Sequence, residues 1–329
     1  MSRRPHVFRR VLALFAVPLL ASLATAQVPE IVLADGRHEP VEDPRQDSHG
    51  RWMATREGRR TVLKPGEVVA IVDAAGKETV TLPELADAPD PPETAAALAA
   101  LRDPKNAAWR EATEQLGARP SRGILDALLA LASDARKEMR SRAITALARL
   151  RTRESVKAAT DAVLAEKDKG LRRDAASILF SVQEIFRRCD AKDSVAAGLA
   201  DKDVMVRIDF AALSPAGNAQ ADAVLRNEGL KHADHHVREM AALELGLRGD
   251  VAAEPELAGM LARNELPGID DPELMQRMLV REQVQICGIF AKSGTDTAKA
   301  ALRKALSSPR EAVRKAAEAA LAAAAPPAK

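Results

Sequence analysis

Tyrosine is absent from this sequence, and aromatic residues make up only 2% of its 329 positions: two tryptophans and six phenylalanines. A large pocket walled by aromatic rings is therefore not expected. Cysteine occurs twice, at Cys189 and Cys287, which excludes a disulfide scaffold and a zinc site built on spaced thiolates. There is no G-x-S-x-G nucleophile elbow and no glycine loop of the kind that cradles phosphate. No apolar run approaches the roughly 20 residues that a membrane-spanning helix needs. Alanine, in contrast, is abundant, and small side chains suit close-packed helices.

The charge is divided unevenly. The full chain carries 49 Lys and Arg against 47 Asp and Glu, a net charge of +2. Residues 1–26 hold Arg3, Arg4, Arg9 and Arg10 and no acid, so the remainder has 45 basic and 47 acidic residues and a net charge of −2. Without its first segment the chain has no electrostatic footprint for nucleic acid. That segment has a basic start, a 13-residue apolar run from Val11 to Leu23 broken by Pro18, and Ala24-Thr25-Ala26 in the A-x-A arrangement. This is the pattern of a secretory signal peptide, with the mature chain beginning at Gln27. The expectation is export to the periplasm or the exterior, with no membrane span after cleavage.

Residues 27–82 read as a small β domain. Ile31-Val32-Leu33 leads into Asp35-Gly36, a hairpin signal. Trp52-Met53-Ala54, Thr61-Val62-Leu63, Val68 to Val72 and Thr79 to Leu82 complete about five short strands. Their number and spacing resemble small SH3-like or Sm-like barrels. A unit of this size is marginal alone and is expected to lean on the rest of the chain. Arg51, Arg56, Arg59 and Arg60 make its hairpin basic. One use is anion or partner binding. The other is the solvated face of an edge hairpin, where positive charge discourages pairing, with Glu57 and Glu67 diluting the patch. Residues 83–93 contain Pro83, Pro89, Pro91 and Pro92, which fit neither a helix interior nor an inner strand. They form a linker.

Residues 94–329 are helical and repetitive. An apolar residue followed by arginine, a small residue three places on and leucine seven places on recurs at Arg140, Arg172, Arg238 and Arg314, with partial copies at Arg207 (Phe210, then a break at Ser214-Pro215) and Arg281 (Val284, then Gly288) and a degenerate copy at Arg110. The arginine spacings are 30, 32, 35, 31, 43 and 33. Offsets of three and seven share one helical face. A second apolar helix precedes each phrase, as in 124–132 and 156–166. Helix pairs of this length bury their faces only by stacking, which predicts an α-solenoid of about seven repeats. Asp134, Asp168, Asp203 and Asp234 sit in the turns before the arginines. They are expected to cap helix N-termini and, with the arginines, to form a structural ladder along the stack.

The repeated phrase resembles the HEAT-like repeats, in the short form found in phycobilisome lyase subunits and many exported bacterial proteins. The resemblance covers about 94–324. The tetratricopeptide Trp, Gly and Tyr positions and the ankyrin T-P-L-H phrase are missing. The resemblance implies a mainly α superhelix, and protein–protein interaction as its commonest use, with an accessory subunit of an enzyme as the alternative.

Two features depart from the repeat. The spacing of 43 holds residues 264–274, where Pro267, Gly268, Asp270 and Asp271 predict a lengthened loop that could bind a partner. Residues 231–246 hold His232, His235 and His236, a conceivable metal cluster. Deoxyhypusine hydroxylase, a related family of HEAT-like repeats, binds two irons through His-Glu pairs in several repeats. Here the matching positions read Arg238-Glu239, and the other histidines all precede residue 50. The expectation is a solvated, capping turn with no metal or cofactor. Cys189 and Cys287 lie three repeats apart, roughly 30 Å by helix spacing against a Cα limit near 7 Å, so no bridge is expected. The overall expectation is a non-catalytic scaffold or adaptor that holds another protein.

Overall fold

The computed structural model describes residues 29–324, except 35, 48–50, 57, 65, 88–91, 190 and 267–268. The expected signal segment, residues 1–26, and the linker residues 88–91 lie outside the described residues.

Seven strands form the N-terminal part: β1 Glu30–Leu33, β2 His38–Pro40, β3 Glu42–Gln46, β4 Trp52–Arg56, β5 Arg59–Leu63, β6 Val68–Val72 and β7 Glu78–Val80. They make two antiparallel sheets, ordered β2-β1-β6-β7 and β3-β4-β5. The sequence pattern yields five of these strands. It misses β2 and β3 because both are polar, and β3 carries Pro44, which an edge strand tolerates.

The central strands of the first sheet, β1 and β6, are buried on both faces. Ile31, Leu33 and Val68 face the second sheet and pack with Val41, Trp52, Ala54 and Leu63. Val32, Ala34, Val69 and Ala70 join the large core of the helical part. Double burial explains the unbroken apolar run VVAIV in β6.

Fifteen helices follow among the described residues. Seven pairs stack in order: α1 Pro92–Arg102 with α2 Trp109–Gly117, α3 Arg122–Ala132 with α4 Lys137–Arg149, and α5 Arg153–Ala165 with α6 Lys169–Ile178. Then come α8 Lys192–Leu199 with α9 Val204–Leu213, α10 Ala219–Val224 with α11 His235–Leu247, α12 Glu254–Ala262 with α13 Pro272–Ser293, and α14 Asp296–Ala305 with α15 Glu311–Ala323. The odd helix, α7 Gln183–Arg188, follows a 3-10 turn between the third and fourth pairs. Pro92 and Glu93, placed with the linker by the sequence, open α1, where proline suits the first turn.

Each arginine phrase lies on the second helix of a pair. Its small residue is fully buried at Ala143, Ala175, Ala241 and Ala317, as are Leu147, Leu179 and Leu245. In five copies the apolar residue before the arginine is the third residue of its helix. In α13 that residue is Val280, the ninth. The 43-residue spacing is therefore only partly a loop. About two turns of it lengthen α13, whose first three residues, 272–274, fall in the stretch expected to be loop.

The β part reaches α2 through Lys64 and Glu114, 3.8 Å apart, and docks further along the stack at Arg151 and α7. Glu184 N–H, at the start of α7, donates to Ala34 O at 3.2 Å. Arg188 reaches Glu78 at 2.9 Å, and Arg151 lies 3.9 Å from Glu67. Gly66 takes φ +71 and lies so close to Arg151 that a Cβ would sit 2.7 Å from that residue's Cβ, so only glycine fits.

Candidate interaction site

The lengthened repeat is the feature that departs most from the stack. Asp271 caps α13, accepting from Glu273 and Leu274 N–H at 2.9 and 3.1 Å. Its carboxylate is thus committed to the helix end, whereas Asp270 is exposed. Pro267 and Gly268 lie outside the described residues. Pro272 follows at the first helical position, and the extra turns carry Glu273, Leu274, Met275, Arg277 and Met278. Leu274 is 40% exposed, and Met275 and Met278 are half-buried. Leu274 and Met278 stand four residues apart, on one face of the helix. Glu265, Asp270 and Glu273 are exposed around them. Arg310, from the turn before α15, donates to Gln276 Oε1 at 3.1 Å and Asn264 O at 3.0 Å, which fixes the loop to the stack. The sequence marked the loop; the apolar stub beside it is what the pattern did not reveal.

The histidines are placed separately. His232 is in the turn before α11, where its Nδ1 accepts from Asp234 N–H at 3.1 Å. His235 and His236 open α11 with ring centroids 3.9 Å apart and planes at 37°. Stacked imidazoles keep their in-plane lone pairs from converging on one ion. His236 Nδ1 lies 3.8 Å from Glu239. Among the described residues no three His, Cys, Asp or Glu side chains group to hold a metal. Glu239 and Glu282, at matching positions of two neighbouring repeats, face each other across Arg263. That guanidinium donates to Glu239 and, at 2.6 and 2.7 Å, to both oxygens of Glu282. The cation between these carboxylates is the protein's own. Burial pushes the Glu282 carboxyl up, with Glu239 adding repulsion and Arg263 opposing both. Nothing in the sequence phrase points to Arg263, which lies outside it.

The arginines make two kinds of contact. Each of five donates through Nη1 to the carbonyl six residues earlier: Arg140 to Asp134, Arg172 to Glu166, Arg207 to Asp201, Arg238 to His232 and Arg314 to Ser308, at 2.7 to 3.1 Å. Arg281 differs in setting, because six residues before it the chain is already helical. Four of them also approach a carboxylate of the next repeat: Arg140 on Glu166, Arg172 on Asp201, Arg207 on Glu228 and Arg238 on Glu256. These are not the turn aspartates that the sequence suggested. Asp168, Asp203 and Asp234 cap their own helices. Asp134 accepts from Arg136, which holds its carboxyl down at about 2. Asp168 and Asp203 are tied to the preceding repeat by Lys137 and Arg173, each at 2.6 Å.

The Arg140 pair gives a pH prediction. Glu166 is nearly buried and accepts from Arg140 at 2.7 and 3.0 Å. The hydrogen bonds from Arg140 hold its carboxyl below the usual range. A lowered acid stabilises the fold above its unfolded pKa and loses that contribution as pH falls through its folded pKa. Glu166→Gln should cost about 1 kcal/mol at pH 7, and the difference from the parent should shrink as the pH falls below the usual glutamate range and through the lowered pKa of Glu166. Urea midpoints from pH 3 to 7 test this; a difference constant with pH would rule it out.

Both cysteines are free. Burial pushes the Cys287 thiol up to about 12. Cys189 borders a cleft of about 240 Å³ with Arg153, Lys157, Thr160 and Ser194. Burial raises this thiol too, so it stays protonated and unreactive at neutral pH.

Residues 93–179 match the family model for HEAT repeats. Those residues are similar to HEAT repeats. That match spans the first three helix pairs. No curated protein matches the chain. Among solved structures, the helical stack is similar to an archaeal HEAT-like repeats protein from Thermococcus onnurineus NA1, at 15% identity and TM-score 0.40, over 72% of this chain and 98% of that one. It is similar to human deoxyhypusine hydroxylase in complex with glycerol, at 16% identity and TM-score 0.31, over 70% and 96%. A designed armadillo repeat protein in complex with the peptide (KR)4 is similar at 18% identity and TM-score 0.31, over 71% and 100%. Among the described residues, no helix of the stack is long and apolar enough to cross a membrane.

Proposed function

We propose that this chain is an exported, non-catalytic scaffold of the cell envelope that holds a partner protein at the lengthened sixth repeat. The observation that carries the reading is the two-turn extension of α13, which presents Leu274 at 40% exposure beside the half-buried Met278 and the acidic residues Glu265, Asp270 and Glu273. A methionine-bearing apolar face with exposed Glu265 and Asp270 nearby, and with Glu273 paired to Arg277 at 3.7 Å, suits contact with a complementary apolar surface. The arginine and aspartate pairs support the same reading, since they are occupied in joining repeats. The basic start, apolar run and A-x-A of residues 1–26 support export.

Native mass spectrometry of the chain purified gently from its own host identifies what it carries. The double variant Leu274→Asp with Met278→Asp is expected to weaken the partner at least tenfold. Val251→Asp, at a site 57% exposed on the turn before α12, is the control and should leave binding unchanged. A partner retained by the double variant, or a stoichiometric metal on the isolated chain, would overturn the proposal.

A further inference from the structure

A second surface lies on the β part, independent of the α13 stub. The β3-β4-β5 sheet ends in β5, which bonds to β4 along one edge; no strand among the described residues pairs with the other. An open edge is a row of backbone donors and acceptors ready for another strand. The pairing of β4 with β5 sets Met53 opposite Val62 and Thr55 opposite Arg60. Val62 is 56% exposed, and Arg60 Nη2 lies 3.4 Å from Met53 Sδ. The opposite face, with Trp52, Ala54 and Leu63, is buried.

The charges on this edge have no carboxylate partner among the described residues. Arg59 and Arg60 are both exposed. The nearby acids are engaged elsewhere: Asp43 with Arg45, Asp47 with Arg51, and Glu67 with Lys64 N–H and Arg151. Glu67 therefore does not dilute the patch as its place in the sequence suggests. The same charges repel a second copy of β5 and attract a strand of opposite sign.

We infer that β5 accepts an extended, acidic segment of a partner protein as a fourth strand of this sheet. Its carboxylates would meet Arg59 and Arg60, and an apolar residue would lie against Val62 and Met53. The site would then read an extended backbone through hydrogen bonds and its composition through charge.

The test uses the full chain and a defined probe, an acetylated and amidated heptapeptide of alternating glutamate and valine, followed by fluorescence anisotropy. Its counterpart with lysine in place of glutamate, and a version N-methylated at alternate residues, are the comparisons. The glutamate peptide is expected to bind, at least tenfold more tightly than either comparison peptide. The double variant Arg59→Glu with Arg60→Glu, exposed and so neutral to folding, is expected to reverse the preference and favour the lysine peptide. No binding of the glutamate peptide up to millimolar concentration would overturn the inference. So would binding indifferent to N-methylation, or an unchanged preference in the double variant. Because the α13 variants leave β5 intact, failure here and failure of the scaffold reading are separate results.

Discussion

Replacing Arg248 by methionine is expected to destabilise the stack by about 3–5 kcal/mol, the usual cost of removing one member of a buried, hydrogen-bonded ion pair. The Arg248 side chain is only 5% exposed. It follows α11 directly and serves the end of another helix. Its Nη2 donates to Ala211, Ser214 and Ala212 carbonyls at 2.8, 2.9 and 3.1 Å, and its Nη1 to Asp222 at 2.8 Å. Those carbonyls need an external donor because α9 stops at Ser214-Pro215, and a helix end leaves its last carbonyls unpaired. Proline has no N–H to offer them. Arg187 adds one bond, to Ala212 O at 2.9 Å, and binds Glu244 at 3.0 Å. Methionine would keep much of the stem's volume but leave Asp222 and Ser214 O without the donor Arg248 supplies, with Ala212 O keeping only Arg187 and Ala211 O only the Ser214 N–H. Because repeats are stabilised by their neighbours, the damage should also uncouple the two halves. Urea unfolding followed by circular dichroism should split from one transition into two. An unchanged midpoint and a single transition would show that the carbonyls find other partners.

A glycine offers a test of opposite sign. Gly198, in α8, faces Phe210 of α9, and a Cβ there would lie 2.1, 2.3 and 2.6 Å from three atoms of the ring. The ring is fully buried and meets Phe186 edge-on at 6.2 Å, so it has little room to retreat. Alanine gains about 1 kcal/mol over glycine in a helix interior, whereas overpacking costs about 1–3 kcal/mol. With three ring atoms overlapped the upper part of that range applies, and Gly198→Ala should be destabilised by about 2 kcal/mol. Gly259 in α12 has nothing within 4 Å of its would-be Cβ. Gly259→Ala should therefore be stabilised by about 1 kcal/mol. Thermal midpoints that move in opposite directions support the packing argument. A stabilised Gly198→Ala would refute it.

The stack was legible because its signal is repeated. The apolar residue, arginine and small residue of the phrase occur at a near-constant period, and burial at Ala143, Ala175, Ala241 and Ala317 is what that period encodes. The strands were legible only where they are apolar, so β2 and polar, proline-bearing β3 went unread. The lengthened repeat was visible as an odd spacing, yet residues 272–279 are helix because Asp271 and Pro272 start one there, and proline after a run of acids reads equally well as loop. Least legible were Arg187, Arg248 and Arg263. Each stands outside the phrase, and its role depends on a helix end or carboxylate 19 or more residues away. One sequence carries no sign of such pairings. The free edge of β5 was hidden for a related reason: the basic residues are evident, but not that Glu67 turns toward Arg151.

The seat of the β part also bears on the order of assembly. Val32, Val69 and Ala70 are covered by helices, and the Arg188 to Glu78 bond closes a separation of 110 residues. Stacked helix pairs make mostly local contacts and form fast, while contacts this distant along the chain form late. During synthesis the first sheet therefore waits, its apolar outer face uncovered, until α7 has emerged. Docking of that sheet, rather than growth of the stack, should set the slowest phase of refolding, and the interval before it is when the chain is most exposed to aggregation.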